Sequence, residues 1–144
     1  MRQAIALAKE AAEEGEGPVG AVVVFDGKIV GKGRNRREIS KNALAHAEIE
    51  AINEACRALG GWRLWQCDIY VTLEPCPMCT GAIINSRIKR LVYGASDYKA
   101  GSCGSVIDLF SLPYNHKPEV AKGVMQEECA ALLSDFFKKL RKKL

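Results

Sequence analysis

Cys76 and Cys79, in Pro75-Cys76-Pro77-Met78-Cys79, stand where an apolar, β-branched run gives way to a segment of helical pattern. At a strand-to-helix junction the free backbone N–H groups and the helix dipole favour thiolates, which are soft ligands for zinc. A lone C-x-x-C also suits a redox dithiol, so it decides nothing without further ligands. His46, far upstream in His46-Ala47-Glu48, supplies an imidazole. One imidazole and two thiolates leave the fourth tetrahedral position to water, the arrangement expected of catalytic rather than structural zinc. A redox dithiol gives neither His46 nor the neighbouring carboxylates a role. Water held by zinc is acidified towards neutrality and needs a carboxylate close to the metal, but not bound to it, to shuttle its proton. Glu48 and Glu50 compete for that part. On a continuous helix, residues i and i+4 share a face, which favours Glu50 beside His46; Glu48 serves only if His46 sits at the helix entrance. Spacing leaves both open.

The remaining candidates have plainer readings. His116 is expected to make a surface contact or cap structure from a loop, because a fourth protein ligand would close the zinc site. Cys56 and Cys129 fall on apolar helical faces, and Cys67 and Cys103 near element boundaries, as buried thiols do. Six cysteines in 144 residues allow three disulfides in an exported protein, but a chain that is 48% hydrophobic can build a core without staples. Met1 to Glu14 carries charges through its middle rather than an apolar signal core, and no run approaches the roughly 18 to 20 apolar residues that span a bilayer. A cytoplasmic protein with free or metal-bound thiolates is expected. The formal charge of +4 is too mild for a polybasic protein but compatible with an anionic partner.

The elements that position these residues follow from periodicity. Residues 2 to 14 place Ala4, Ile5, Leu7, Ala8, Ala11 and Ala12 at helical spacing. Val19 to Phe25 and Lys28 to Gly33 flank Asp26-Gly27 and predict a β-hairpin. Arg34 to Asn42 reads as a loop, Ala45 to Leu59 as a helix stopped by Gly60-Gly61, Ile69 to Leu73 as a buried strand, Cys76 to Ser86 as a helix, and Arg90 to Tyr93 as a strand. Strand, helix, strand with short connections implies a parallel crossover. A Gly-, Ser- and Ala-rich loop from Ala95 to Ser105 precedes irregular sequence, a strand near Val120 to Val124 and a final helix from Gln126 to Leu144. The sum is a single three-layer α/β/α domain over residues 1–144, with helices on both faces of a mixed sheet of about five strands. Lys138, Lys139, Arg141, Lys142 and Lys143 crowd the end of the last helix, where they suit its dipole and can equally meet phosphates. Phe136 and Phe137 are adjacent and point apart, one towards core and the other free for a base or a partner. Trp62 and Trp65 are expected in packing or a dimer contact.

His46-Ala47-Glu48 followed by Pro75-Cys76-Pro77-Met78-Cys79 resembles the H-x-E…P-C-x-x-C signature of the cytidine/deoxycytidylate deaminase superfamily. That resemblance implies a cytidine deaminase-like fold, one zinc ion on His46, Cys76 and Cys79, and Glu48 as the proton shuttle. Pro18-Val19-Gly20-Ala21-Val22, Ala45-His46-Ala47-Glu48, Tyr70 to Cys76, Ser86-Arg87-Ile88 and Glu128 to Phe137 further resemble the bacterial tRNA-specific adenosine deaminase family over nearly the whole chain. The family implies hydrolysis of the wobble adenosine of an arginine tRNA anticodon to inosine and ammonia, by a homodimer that binds the anticodon stem-loop. By matching position it implies substrate contacts at Asn35, Ala47, Asp97 and Phe137. Asn42-Ala43-Leu44 departs from the family's common Asp-Pro-Thr before Ala45. A free-base or nucleoside deaminase, such as a guanine deaminase, is the enzymatic alternative, and a noncatalytic zinc-stabilised RNA-binding module a more distant one.

Overall fold

The computed structural model describes residues 1–143; Leu144, the last residue of the expected final helix, lies outside them. Helix α1 (Arg2–Glu13) buries Ala4, Ile5, Ala8 and Ala11, the stripe its periodicity dictates. Strands β1 (Gly20–Phe25) and β2 (Lys28–Arg34) follow as a hairpin. Asp26 and Gly27 take φ of 51° and 75°, the left-handed pair that a two-residue turn matching strand twist requires. Between Val23 and Val24 the register slips from Gly31 to Ile29.

Where the sequence predicts only loop, Arg37–Ser40 forms a short helix, α2. The cause is not local. The buried carboxylate of Glu16 accepts the N–H groups of Glu38 at 3.1 Å and Ile39 at 2.7 Å, satisfying helix donors that its own sequence does not cap. Helix α3 (Ala47–Leu59) ends at Gly60, whose φ of 71° is the left-handed stop that glycine adopts freely. Strand β3 (Cys67–Leu73), helix α4 (Pro77–Asn85) and strand β4 (Arg90–Ala95) make the parallel crossover. After a 3₁₀ turn at Leu109–Ser111 come β5 (Glu119–Lys122), parallel to β4, and α5 (Gln126–Lys142).

The sheet has five strands in the order β2-β1-β3-β4-β5, with β1 antiparallel to both of its neighbours. Helices α3 and α4 cover one face, where Ile52, Ala55, Ile83, Ile84 and Ile88 meet Val23, Ile69, Val71 and Leu91. Helices α1 and α5 touch each other on the opposite face, over a smaller cluster of Ile5, Ala95 and Cys129. Helix α3 lies directly on β2: a Cβ at Gly33 would collide with the carbonyl oxygen of Ala47. Glycine there seats the first turn of α3 against the sheet, and so places His46 and Glu48. No helix among the described residues is long and apolar enough to cross a membrane.

Candidate metal centre and cavity

His46 is the N-cap residue of α3, with extended φ and ψ of −88° and 152°, so its ring leaves the chain outside the helix while Glu48 falls in the first turn. That geometry separates the two carboxylates. Glu48 is 4% exposed and faces the site, whereas Glu50 turns outward to an ion pair with Arg36 at 3.1 Å. Cys76 is likewise the N-cap of α4, with Pro77 opening the helix and Cys79 one turn in.

The Nδ1 of His46 lies 3.7 Å from the Cys76 sulfur and 3.6 Å from that of Cys79, and the three ligand atoms all fall within 4.8 Å of one another. Bonds of about 2.0 Å to nitrogen and 2.3 Å to sulfur at a tetrahedral angle set an N···S separation of about 3.5 Å. The donor set and its spacing therefore fit a metal ion, and an imidazole with two thiolates suits zinc. Two helix N-termini converge here, bringing positive dipole ends to the thiolates.

The electrostatics describe one ionised sulfur, a thiol that donates to it, and a protonatable acid beside them. The Cys76 thiol is held down at about 4, chiefly by the hydrogen bond from Cys79 and also by that of His46. Cys79, the donor and deeply buried, is pushed up instead. The hydrogen bond with Cys76 raises His46. Burial pushes the Glu48 carboxyl up to about 7.

These groups stand at the base of an open cavity of about 230 Å³. Asn35, Ala47, Asp97 and Phe137, which come from four separate parts of the chain, all lie on its walls with His46, Glu48 and Cys76. The Asn35 amide donates to the Gly17 carbonyl at 3.2 Å, and its oxygen accepts the Arg37 N–H at 3.2 Å. Asp97 Oδ1 accepts the N–H groups of Lys99 and Ala100 at 3.0 and 3.2 Å, closing a turn at the rim. Phe137 is 46% exposed at the cavity, while Phe136 is half-buried and meets its ring edge-on at 5.4 Å.

Sequence reasoning missed Arg37, Leu133 and Glu74 in the same walls. Leu133 was within reach, being four residues before Phe137 and so on its helical face. Arg37 is carried there by α2, whose cap comes from Glu16. Burial pushes the Glu74 carboxyl up, but hydrogen bonds from Ser105, Asp97 and Cys103 outweigh it and hold the group below the usual carboxylate range.

His116 is not part of the metal group; its Nε2 bonds the Ile88 carbonyl at 2.7 Å and ties its loop to the turn between α4 and β4. All six cysteines are free. Cys67, Cys103 and Cys129 are buried, and burial pushes Cys103 up to about 12, out of the reactive range. At Asn42-Ala43-Leu44 the Asn42 side chain accepts the Leu44 N–H at 2.8 Å, so a local turn precedes His46. Trp62 and Trp65 are 50% and 60% exposed, and the Arg63 guanidinium stacks 4.3 Å above the Trp62 ring.

The family model of MafB19-like deaminases matches residues 1–141. A tRNA-specific adenosine deaminase from Bacillus subtilis is 50% identical over 144 residues, covering 99% of this chain and 89% of that protein. One from Haemophilus influenzae is 50% identical over 143 residues, covering 98% and 83%. A solved structure from work on A-to-I editing by tRNA:A34 deaminases superposes with a TM-score of 0.90 at 46% identity, covering 92% of this chain and 97% of that one.

Proposed function

The chain belongs to the MafB19-like deaminases and, within them, to the tRNA-specific adenosine deaminases, and on that premise we propose that it converts the wobble adenosine of an arginine tRNA anticodon to inosine. The reaction adds one water and releases one ammonia. The observation that carries the reading is the convergence of His46, Cys76 and Cys79 beside the buried Glu48, at the base of a cavity able to hold one nucleotide base. His46 Nδ1 and the two sulfurs would hold a single zinc ion, which supplies Lewis acidity that brings water's pKa towards 7.

Glu48 moves the protons. With its carboxyl near 7, it takes one from the attacking water and delivers it to the ring nitrogen beside C6, then takes the proton of the new C6 hydroxyl and passes it to the amine as the C6–N bond breaks and the carbonyl forms. Burial suits this: a carboxylate in water would remain ionised at neutral pH and return the proton poorly. Ala47 packs at the base of the cavity and Asn35 offers its amide to the base. Asp97 and Phe137 on the rim meet the nucleotide and its neighbours. A base can reach this depth only when it is flipped from its stack, which an unpaired anticodon loop permits at small cost. We take residues 1–144 as one catalytic domain, working as a homodimer in the cytoplasm, with the exposed basic end of α5 available to phosphates.

The test is deamination by the purified, zinc-loaded protein of an anticodon stem-loop with adenosine at the wobble position, beside free adenosine, guanine and cytidine. Inosine formed only in the RNA is the expected result. Turnover of a free base or nucleoside alone would move the protein to the free-base branch, and no turnover of any substrate with zinc bound would favour an RNA-binding module.

A further inference from the structure

Glu74 ends the link from β3 to the metal-bearing turn, two residues before Cys76, and is 2% exposed. Its carboxylate is no metal ligand; both oxygens are taken up by the chain that follows β4. Oε1 accepts the Asp97 N–H at 3.1 Å and the Ser105 hydroxyl, and Oε2 accepts the N–H groups of Cys103 and Ser105, each at 3.1 Å. Gly101 passes so close beneath that a Cβ there would collide with the carboxyl group.

The 97–105 segment belongs to no helix or strand, so most of its N–H groups lack the partners that regular structure gives. It is stitched instead to the turn around Glu74: Ser102 N–H donates to the Pro75 carbonyl at 2.9 Å, alongside the carboxylate contacts. An ionised carboxylate is costly to bury unless it is fully hydrogen-bonded, and donors from one short segment satisfy Glu74. The same segment supplies Asp97 and Ala100 to the cavity wall, and raises Tyr98, 82% exposed, at the tip of the turn that the Asp97 side chain closes.

We propose that Glu74 is a positioning residue for RNA binding: it holds the 97–105 segment as a rigid cavity wall, so that Asp97 and the crown of Tyr98 and Lys99 meet the anticodon in one fixed geometry. This rests on the reading that the substrate is an anticodon loop. Glu74 acts on contacts remote from the reacting carbon, which stabilise bound substrate and transition state alike. Its loss therefore raises KM and spares kcat. Gln is the informative substitution, since it keeps the size and one acceptor oxygen but turns the other oxygen into a donor facing N–H groups.

The experiment pairs steady-state kinetics on the stem-loop with amide hydrogen exchange, zinc content and thermal melting, for the wild type, Glu74→Gln and Ser105→Ala. Losing charge-assisted hydrogen bonds in Glu74→Gln is expected to raise KM about tenfold with kcat within about threefold. Zinc content stays unchanged, and the Asp97, Cys103 and Ser105 amides exchange faster while strand amides do not. Ser105→Ala, which removes one hydroxyl donor and keeps the backbone N–H bond, shifts KM the same way by about threefold. An unchanged KM, or three amides as protected as in the wild type, overturns the proposal. So does a collapse of kcat together with zinc loss, which would make Glu74 a prop of the metal turn alone. A wild type inactive on the stem-loop refutes the anticodon reading instead, and the exchange data still decide whether Glu74 holds the segment.

Discussion

The base of the cavity is set by residues within a turn of two helix entrances, His46 and Glu48 on α3 and Cys76 and Cys79 on α4, each placed by local cap geometry on a helix pressed against the sheet. Its rim is assembled otherwise. Asn35 follows β2, Asp97 follows β4 and Phe137 lies on α5, and two of the backbone stretches in the walls, α2 and the segment after β4, are held by buried carboxylates, Glu16 and Glu74, that reach across the fold to otherwise uncapped backbone. A helix entrance fixes atoms to the tolerance that proton transfer needs, while a wall hung from side-chain struts varies with the residues that make them. The base and the rim are thereby held by different kinds of contact.

The largest effects should come from the base. Stripping the metal with a chelator, or replacing Cys79 with Ser, is expected to abolish turnover and lower the melting temperature together, because the ligands tie α3 to α4; activity that survives full metal loss, measured by elemental analysis, would break the comparison. Glu48→Gln should lower kcat by about a thousandfold with zinc content and fold retained, while Glu50→Gln, which loses only its outward ion pair with Arg36, stays within about twofold. Equal losses in the two variants would erase the distinction that the helix entrance draws.

A rim substitution should read differently. Phe137→Ala is expected to raise KM for the stem-loop about tenfold, the worth of one stacked base, with kcat little changed. A matching fall in kcat would show the rim acting on the chemical step.

The smallest effect lies far from both. Arg34 holds the exposed Glu14 carboxyl below its usual value, chiefly through their hydrogen bond, with Nε at 2.7 Å. A depressed carboxyl contributes stability above its unfolded pKa and loses it as pH falls through the folded one. The small difference in melting temperature between wild type and Glu14→Gln should thus be greatest near neutrality, fade in acid and shrink in high salt.

Legibility in the sequence followed the same division. The hairpin, α3, the crossover and α5 were readable because each is fixed by its own periodicity and its own stop, such as Asp26-Gly27 or Gly60. The metal trio was readable because Cys76 and Cys79 are neighbours and His46 is one of only two histidines. The choice between Glu48 and Glu50 was not, since it turns on whether His46 stands inside or just outside its helix. Helix α2 escaped because its donors are satisfied by Glu16, more than twenty residues earlier in the chain. The same holds for Glu74, whose partners lie beyond an intervening helix and strand and leave no trace in local pattern.

The three ligand atoms span a stretch of chain, from His46 to Cys79, separated by 33 positions and containing a whole strand. A protein with only free thiols has no covalent cross-link, so an ion held there is its one removable clasp. Such a clasp obeys mass action: each tenfold rise in free zinc above the dissociation constant adds about 1.4 kcal/mol to the folded state. With zinc as that ion, scarcity in a cell should deplete the folded protein and its turnover together.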